Sequence, residues 1–165
     1  MRNVGNIANL STPLGIIVAL AGGARLRMVN GLVVAECAVL PGISASAMTI
    51  GSVVLIRGRT LEEATRRIPG LLEHEGHHAH QWAYCFGLPF IPLYMAATGW
   101  SWLRSADRAA ANLFEVQAGL ALGGYTARDK RPLRAGGRAL RSLVSAAVAR
   151  RSGPPGAACG ADADA

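Results

Sequence analysis

The sequence predicts an α+β fold, a small antiparallel sheet followed by a helical core. Three observations carry this. Asn30-Gly31 separates two β-prone runs, 25–29 and 32–35, and an Asn-Gly pair in that setting is the strongest short-range hairpin signal. The stretch 47–57 (AMTIGSVVLIR) is rich in β-branched residues and reads as a third strand. From Thr60 onward the chain carries helix start and stop signals instead. Strands first and helices after is the order of an α+β domain.

Arg2 is followed by no charge until Arg25, and the apolar run 14–21 would suit the core of a secretory leader. The single preceding Arg favours an ordinary short helix, capped by Ser11 or Thr12, begun by Pro13 and ended by Gly22-Gly23. Pro41-Gly42 marks a turn. Thr60 and Glu63 have the spacing of a capping box. Ile68-Pro69 ends that helix, because the residue before a proline avoids the helical region. Further helices are expected over 69–86, stopped by Gly87 and Pro89, over 92–104, and over 107–122, closed by Gly123-Gly124. The stretch 82–103 is free of Asp, Glu, Lys and Arg and long enough to cross a bilayer, but Gly87, Pro89, Pro92 and Gly99 interrupt it. It reads as a buried turn and helix, with membrane contact as the second reading.

Leu140, Leu143, Val144, Ala147 and Val148 recur at helical spacing among arginines, so 138–151 reads as a basic amphipathic helix. The residues after Ser152 are small and rich in Pro and Gly, the composition of a disordered tail. A chain of 165 residues has room for one real core. The expected division is a metal-binding domain over 1–127, a basic amphipathic segment over 128–151 and a disordered tail over 152–165.

The net charge of +7 is uneven, with eight of the seventeen basic residues at or after Arg128. Only Tyr125 adds an aromatic near that tail, so nucleic acid ranks last among partners. An acidic membrane surface, or solubility alone, accounts for the charge as well. Arg outnumbers Lys sixteen to one, which is the mark of a GC-rich bacterial genome rather than of a structural need. Cys37, Cys85 and Cys159 are odd in number, far apart and without CxxC spacing, and imply neither a disulfide framework nor a cysteine zinc site. A reducing compartment, the cytoplasm, is the expected location.

The chemistry concentrates in residues 74–78, His-Glu-Gly-His-His. This is H-E-x-x-H, with His74, Glu75 and His78. Residues i and i+4 lie one above the other on a helix, so the two imidazoles can reach one Zn2+ ion. Glu75 then stands beside the metal, where a carboxylate can take a proton from an activated water. His77 and His80 complete the histidines of the chain. A 74/77 pair could also chelate, but only 74/78 brackets Glu75, so His77 and His80 are expected to face solvent or support the ligands. A third protein ligand is needed, and there is no further motif histidine downstream. The downstream acids before the basic tail are Asp107 and Glu115. Asp107 sits at an expected helix start, where a carboxylate has a routine capping role. Glu115 is expected in mid-helix and is the preferred ligand. Gln81 and Asn112 lie one helical turn from His78 and Glu115 and can each orient a ligand.

H-E-x-x-H followed by N-x-x-E (Asn112, Glu115) on a later helix resembles the gluzincin branch of zinc metallopeptidases in a very small form. The runs HEGHHAHQW, GLPFIPLY and NLFEVQAGLALGGY are also similar to a family of short actinobacterial proteins with an H-E-x-x-H-x-x-Q motif, over roughly 12–125. The resemblance implies a zincin-like helical core and an edge strand, 49–56, that pairs with an extended peptide beside the active-site helix. It also implies a residue that stabilises the oxyanion, for which Tyr125 is the nominee and His77 the next. Gly76 departs from a good helix former within the motif. The expected function is a zinc-dependent metallopeptidase that hydrolyses a peptide or protein substrate through a metal-bound water activated by Glu75. The alternative is an inactive metal-binding or membrane-associated protein on the same scaffold, with peripheral membrane contact through 82–103 and 138–151.

Overall fold

A computed structural model describes residues 1–42 and 45–151. The expected disordered tail, 152–165, and Cys159 within it lie outside the described residues. In chain order the elements are α1 (Arg2–Ala8), α2 (Ser11–Ala21), β1 (Arg25–Val29), β2 (Leu32–Ala38), β3 (Ala47–Ile50), β4 (Val53–Arg57), α3 (Leu61–Arg67), α4 (Leu71–Tyr84), α5 (Phe90–Ser105), α6 (Leu113–Ala118) and α7 (Leu133–Arg151). The fold is α+β, as expected.

The sheet has the order β1-β2-β4-β3. The β1–β2 hairpin forms where Asn30-Gly31 predicts it, with Val29 opposite Leu32 and both loop residues at positive φ (50° and 72°). The stretch 47–57 is not one strand. It folds back on itself at Gly51-Ser52, placing Ile50 opposite Val53. The single edge strand expected over 49–56 is therefore two strands, of which β4 is central and only β3 is an edge. The sheet is mixed rather than wholly antiparallel, because the chain leaves β2, runs down the outer edge as β3, and returns into the gap as β4, parallel to β2.

Central placement explains the composition of β4. Val54 and Ile56 pack with Val34 and Leu32 against α3 and α4, while Val53 and Leu55 pack with Ala35 and Ala19 on the other face, below α2. A strand covered on both faces reads as a continuous apolar run rather than an alternating one. Gly51 makes the fold-back possible on two counts. Its φ is 62°, and a Cβ there would sit 2.4 Å from the Thr12 amide nitrogen.

The helices follow their punctuation with four exceptions. α1 has no strong sequence signal. It is held by Asn6, fully buried, whose amide donates to the Ala79 carbonyl and to Ser52 Oγ. α2 starts after Leu10 in a left-handed conformation and has no side-chain cap. Thr12 Oγ1 instead accepts from the Ser52 amide, and Ser11 Oγ pairs with Asn9 Oδ1. The helix expected over 107–122 is reduced to α6, because Asp107 Oδ1 folds back to accept from the Ala109 and Ala110 amides and Asn112 caps a new start at Leu113 by accepting from the Phe114 amide. The expected buried turn and helix over 82–103 is buried on one side only, and Phe86, Leu88, Ile91, Leu93, Met95 and Trp100 are exposed. The Thr60–Glu63 capping box and the break at Pro69 form as expected. No described helix is long and apolar enough to cross a membrane; α1 and α2 reach that composition only together, as a pair bent by 78°.

Gly51→Ala is expected to lower unfolding stability by about 2 kcal/mol or more, since it adds both strain and a backbone clash. Urea denaturation of the purified protein measures this, and a loss under about 0.5 kcal/mol would show that the turn tolerates a side chain.

Candidate metal centre

α4 lies between β3 on one side and α6 on the other, so its buried residues face both. His74 and His78 project one turn apart and Glu115 reaches them from α6. The three are buried together and form a group able to hold a metal ion. Glu115 is not in mid-helix as expected. It stands in the first turn of a six-residue helix whose cap, Asn112, also donates to Thr98 Oγ1. Asn112 therefore supports Glu115 by fixing where α6 begins. Asp107 takes no part in the cluster and keeps its capping role, paired with Arg128.

The hydrogen bonds decide the tautomers. His74 Nδ1 lies 3.1 Å from the Gly119 carbonyl, which can only accept, so Nδ1 carries the proton. Gln81 donates its amide to the Phe114 carbonyl, which turns its Oε1 toward His78 Nδ1 at 2.8 Å and makes that nitrogen a donor too. Both Nε2 atoms are then lone-pair acceptors. They face each other at 3.2 Å, and Glu115 Oε2 and Oε1 lie 3.2 and 3.5 Å from His74 and His78 Nε2 respectively.

Acceptors converging in a buried space repel unless a cation sits among them. Glu115 Oε2 is fully buried and has no hydrogen-bond donor. Ligands 2.0–2.2 Å from a tetrahedral ion stand about 3.3–3.6 Å apart. The observed separations of 3.2 to 3.5 Å have nearly that size. The donor set and the orphaned oxygen both fit a metal ion.

Tyr94, on α5, escaped the sequence reading. Its hydroxyl donates to Glu115 Oε1. The available signal was spacing, since Tyr94 follows Phe90 by four residues on the inner face of α5. Thr49 was likewise missed. Its Oγ1 donates to Glu75 Oε2 at 2.8 Å, across from β3. His77 and His80 face outward, with His77 Nδ1 near the Ala118 carbonyl. Tyr125 lies beside His74, its ring 5.8 Å away, and is 42% exposed. The segment between, 119–125, covers His74 closely: a Cβ on Gly123 would lie 2.6–2.9 Å from three atoms of the imidazole.

Electrostatics follow from burial and neighbours. Burial raises the Glu75 carboxyl above its ordinary range, against the opposing pull of His78, Thr49 and His74. Burial would likewise raise Glu115, but the two imidazoles, which attract the carboxylate when they carry a second proton, and the Tyr94 hydrogen bond more than offset it and hold this carboxyl far below the usual carboxylate range. Burial lowers His78, yet the Glu115 hydrogen bond and the charges of Glu75 and Glu115 win, and its net shift is upward. Burial, then the nearby carboxylates, push Tyr125 up to about 12, so its hydroxyl keeps its proton at neutral pH.

In metal-free protein, the raised His78 contributes stability below about pH 6.5 that is lost as pH rises through its folded value. The depressed Glu115 contributes above about pH 4.3 and is lost only in strong acid. Metal must displace the proton, so its affinity rises with pH over the window where His78 loses stabilisation. Calorimetry should show the melting temperature of metal-free protein falling between about pH 6 and 8, while the increment from added Zn2+ widens. Gln81→Ala is expected to weaken Zn2+ binding by roughly 10–100-fold in competition titrations, through loss of the His78 Nδ1 acceptor. Compared with protein-family models, curated proteins and solved structures, the chain finds no match, so the functional reading rests on its own residues and geometry.

Proposed function

We propose that this chain is a zinc-dependent metallopeptidase in which His74, His78 and Glu115 hold the ion and Glu75 is the general base. One observation carries the reading. Two imidazole lone pairs and the Glu115 carboxylate, one of whose oxygens is orphaned, converge at separations close to the edge lengths of a coordination tetrahedron, beside a second buried carboxylate. Zn2+ bound there would supply Lewis-acid polarisation of a water and of a substrate carbonyl. It suits this donor set of two imidazoles and one carboxylate, which is that of catalytic zinc sites.

The rest is done by the chain. Thr49 engages Glu75 Oε2 and fixes the carboxylate, leaving Oε1 as the proton acceptor. The raised basicity of Glu75 brings it closer to the range of a working base at neutral pH. It takes a proton from the attacking water as the new C–O bond forms and returns it to the leaving amine as the C–N bond breaks. Tyr125 keeps its proton and, with no hydrogen-bond partner for its hydroxyl among the described residues, serves as the donor to the developing oxyanion. Tyr94 is committed to Glu115 and positions that ligand.

A peptide would find a short ladder at β3. Ser46 accepts from the Arg57 amide, so by antiparallel alternation residues 48 and 50 face β4 while 47 and 49 face outward. The Thr49 carbonyl is already taken by Trp82 Nε1 at 2.9 Å. That leaves the Ala47 groups and the Thr49 amide for strand addition. A substrate held by so few backbone bonds would depend on its side chains or on a short, flexible cleavage segment.

Glu75→Gln is expected to keep one Zn2+ per chain while losing at least about 100-fold in hydrolysis of a peptide library. His78→Ala is expected to lose the metal and the activity together. If wild type and Glu75→Gln both hold zinc and cleave equally poorly, the site is a metal-binding scaffold without catalysis.

A further inference from the structure

The largest feature that metal chemistry leaves unused is an exposed apolar surface around the α4–α5 turn and α5. Phe86 is 83% exposed and Leu10 69% exposed. The two turns adjoin, since a Cβ on Gly87 would lie 3.0 Å from Asn9. Both residues hold positive φ, 56° for Phe86 and 63° for Leu10. Bulky apolar residues rarely adopt this conformation, and asparagine or glycine would relax it. Two large hydrophobic side chains are thus displayed to solvent at a backbone cost, a combination that folding alone does not favour. The surface continues along one face of α5 through Ile91 and Met95, both exposed.

Charge identifies the occupant. No Asp or Glu lies before Glu36 or between Glu75 and Asp107. At its far end α5 meets arginines. Arg104 stacks over Trp100 at 5.8 Å, and Arg131 over Trp102 at 5.5 Å. Arg131 also donates to the Trp102 and Leu103 carbonyls, fastening the approach to α7. α7 packs on α5 and has no acidic residue, with Arg134, Arg138 and Arg141 exposed and an apolar stripe that includes exposed Leu140 and Val144. A basic amphipathic helix beside an uncharged apolar surface matches the interface of an anionic bilayer. A second copy of the chain suits it poorly, because a two-fold contact would set these arginines against their own equivalents.

We propose that the α4–α5 turn, α5 and α7 form a docking surface for an anionic lipid bilayer, on which the chain lies peripherally. Phe86 and Leu10 enter the acyl boundary, and the α7 arginines pair with headgroup phosphates. This is independent of whether the metal site is catalytic.

Flotation of the full chain with vesicles tests it. Phosphatidylcholine vesicles are compared with vesicles containing about a third phosphatidylglycerol. The expected result is binding at least tenfold stronger to the anionic vesicles, weakened by salt. The double variant Leu10→Asn/Phe86→Asn is expected to melt no lower than wild type, because asparagine accepts positive φ, yet to lose binding at least tenfold. Arg134→Gln/Arg138→Gln/Arg141→Gln is expected to abolish the preference for anionic vesicles. Wild type that stays unbound, or binding that survives the asparagine pair, overturns the proposal. So does self-association in sedimentation that the asparagine pair abolishes without any vesicle binding, which would assign the surface to a second copy.

Discussion

Three hydrogen-bond acceptors pointed at one buried spot are the constraint on which the arrangement around α4 depends. The two Nε2 atoms are forced into that role by acceptors behind them, the Gly119 carbonyl and Gln81 Oε1. Those acceptors are themselves placed by α6 and the segment after it, since Gln81 is turned by the Phe114 carbonyl. Tyr94 secures Glu115 from α5. α5, α6 and the segment after it are thereby fixed around one helix by polar groups that would each be costly to bury alone. Short α6, with only two buried residues of its own, is seated by polar groups as well as by Phe114, which packs edge-on against Phe90 at 5.1 Å. Its position is understood through Asn112, Glu115 and the partners of Gln81.

The opposite side of α4 is joined to the sheet by a second polar set. Asn6 spans from α1 to the Ala79 carbonyl and to Ser52, and the Ser52 amide donates to Thr12. The β3–β4 turn, α1, α2 and α4 thus share one buried network. Thr49 extends the attachment from β3 to Glu75, and Trp82 closes over the strand at the Thr49 carbonyl. The carboxylate read as a base is therefore held by the same strand whose outer edge a substrate would meet. Part of that edge has been given over to anchoring the helix.

What was legible in the sequence was whatever local chemistry determines. Asn30-Gly31 requires its hairpin, Thr60 and Glu63 cap each other, Pro69 stops α3, and the four-residue spacing of His74 and His78 puts them on one face. Glu115 was reached by elimination among few acids, and the residues named for it do meet in space. The misses differ in cause. Gly51-Ser52 lies inside a run that reads as a single strand, and although a Gly-Ser pair can turn a hairpin, its necessity shows only in the close approach of α2. Asp107 and Asn112 both satisfy backbone amides locally, so they break what apolar periodicity suggests is one helix. Thr49 becomes a functional neighbour only through tertiary contact, and Tyr94 is marked only by its four-residue spacing from Phe90.

Gly123 has a kinetic meaning beyond its fit. If the 119–125 segment, which rests directly on the His74 imidazole and supplies its Nδ1 acceptor, is also the route by which an ion enters, exchange waits on that segment lifting. Uptake and escape would then share one gate, and the residence time of the ion would be set by the opening frequency of a glycine-rich turn rather than by ligand strength alone. A chelator would strip such a protein at a rate that stops increasing with chelator concentration. The centre would hold its metal through dilution and brief acidification that would empty an open site of equal affinity.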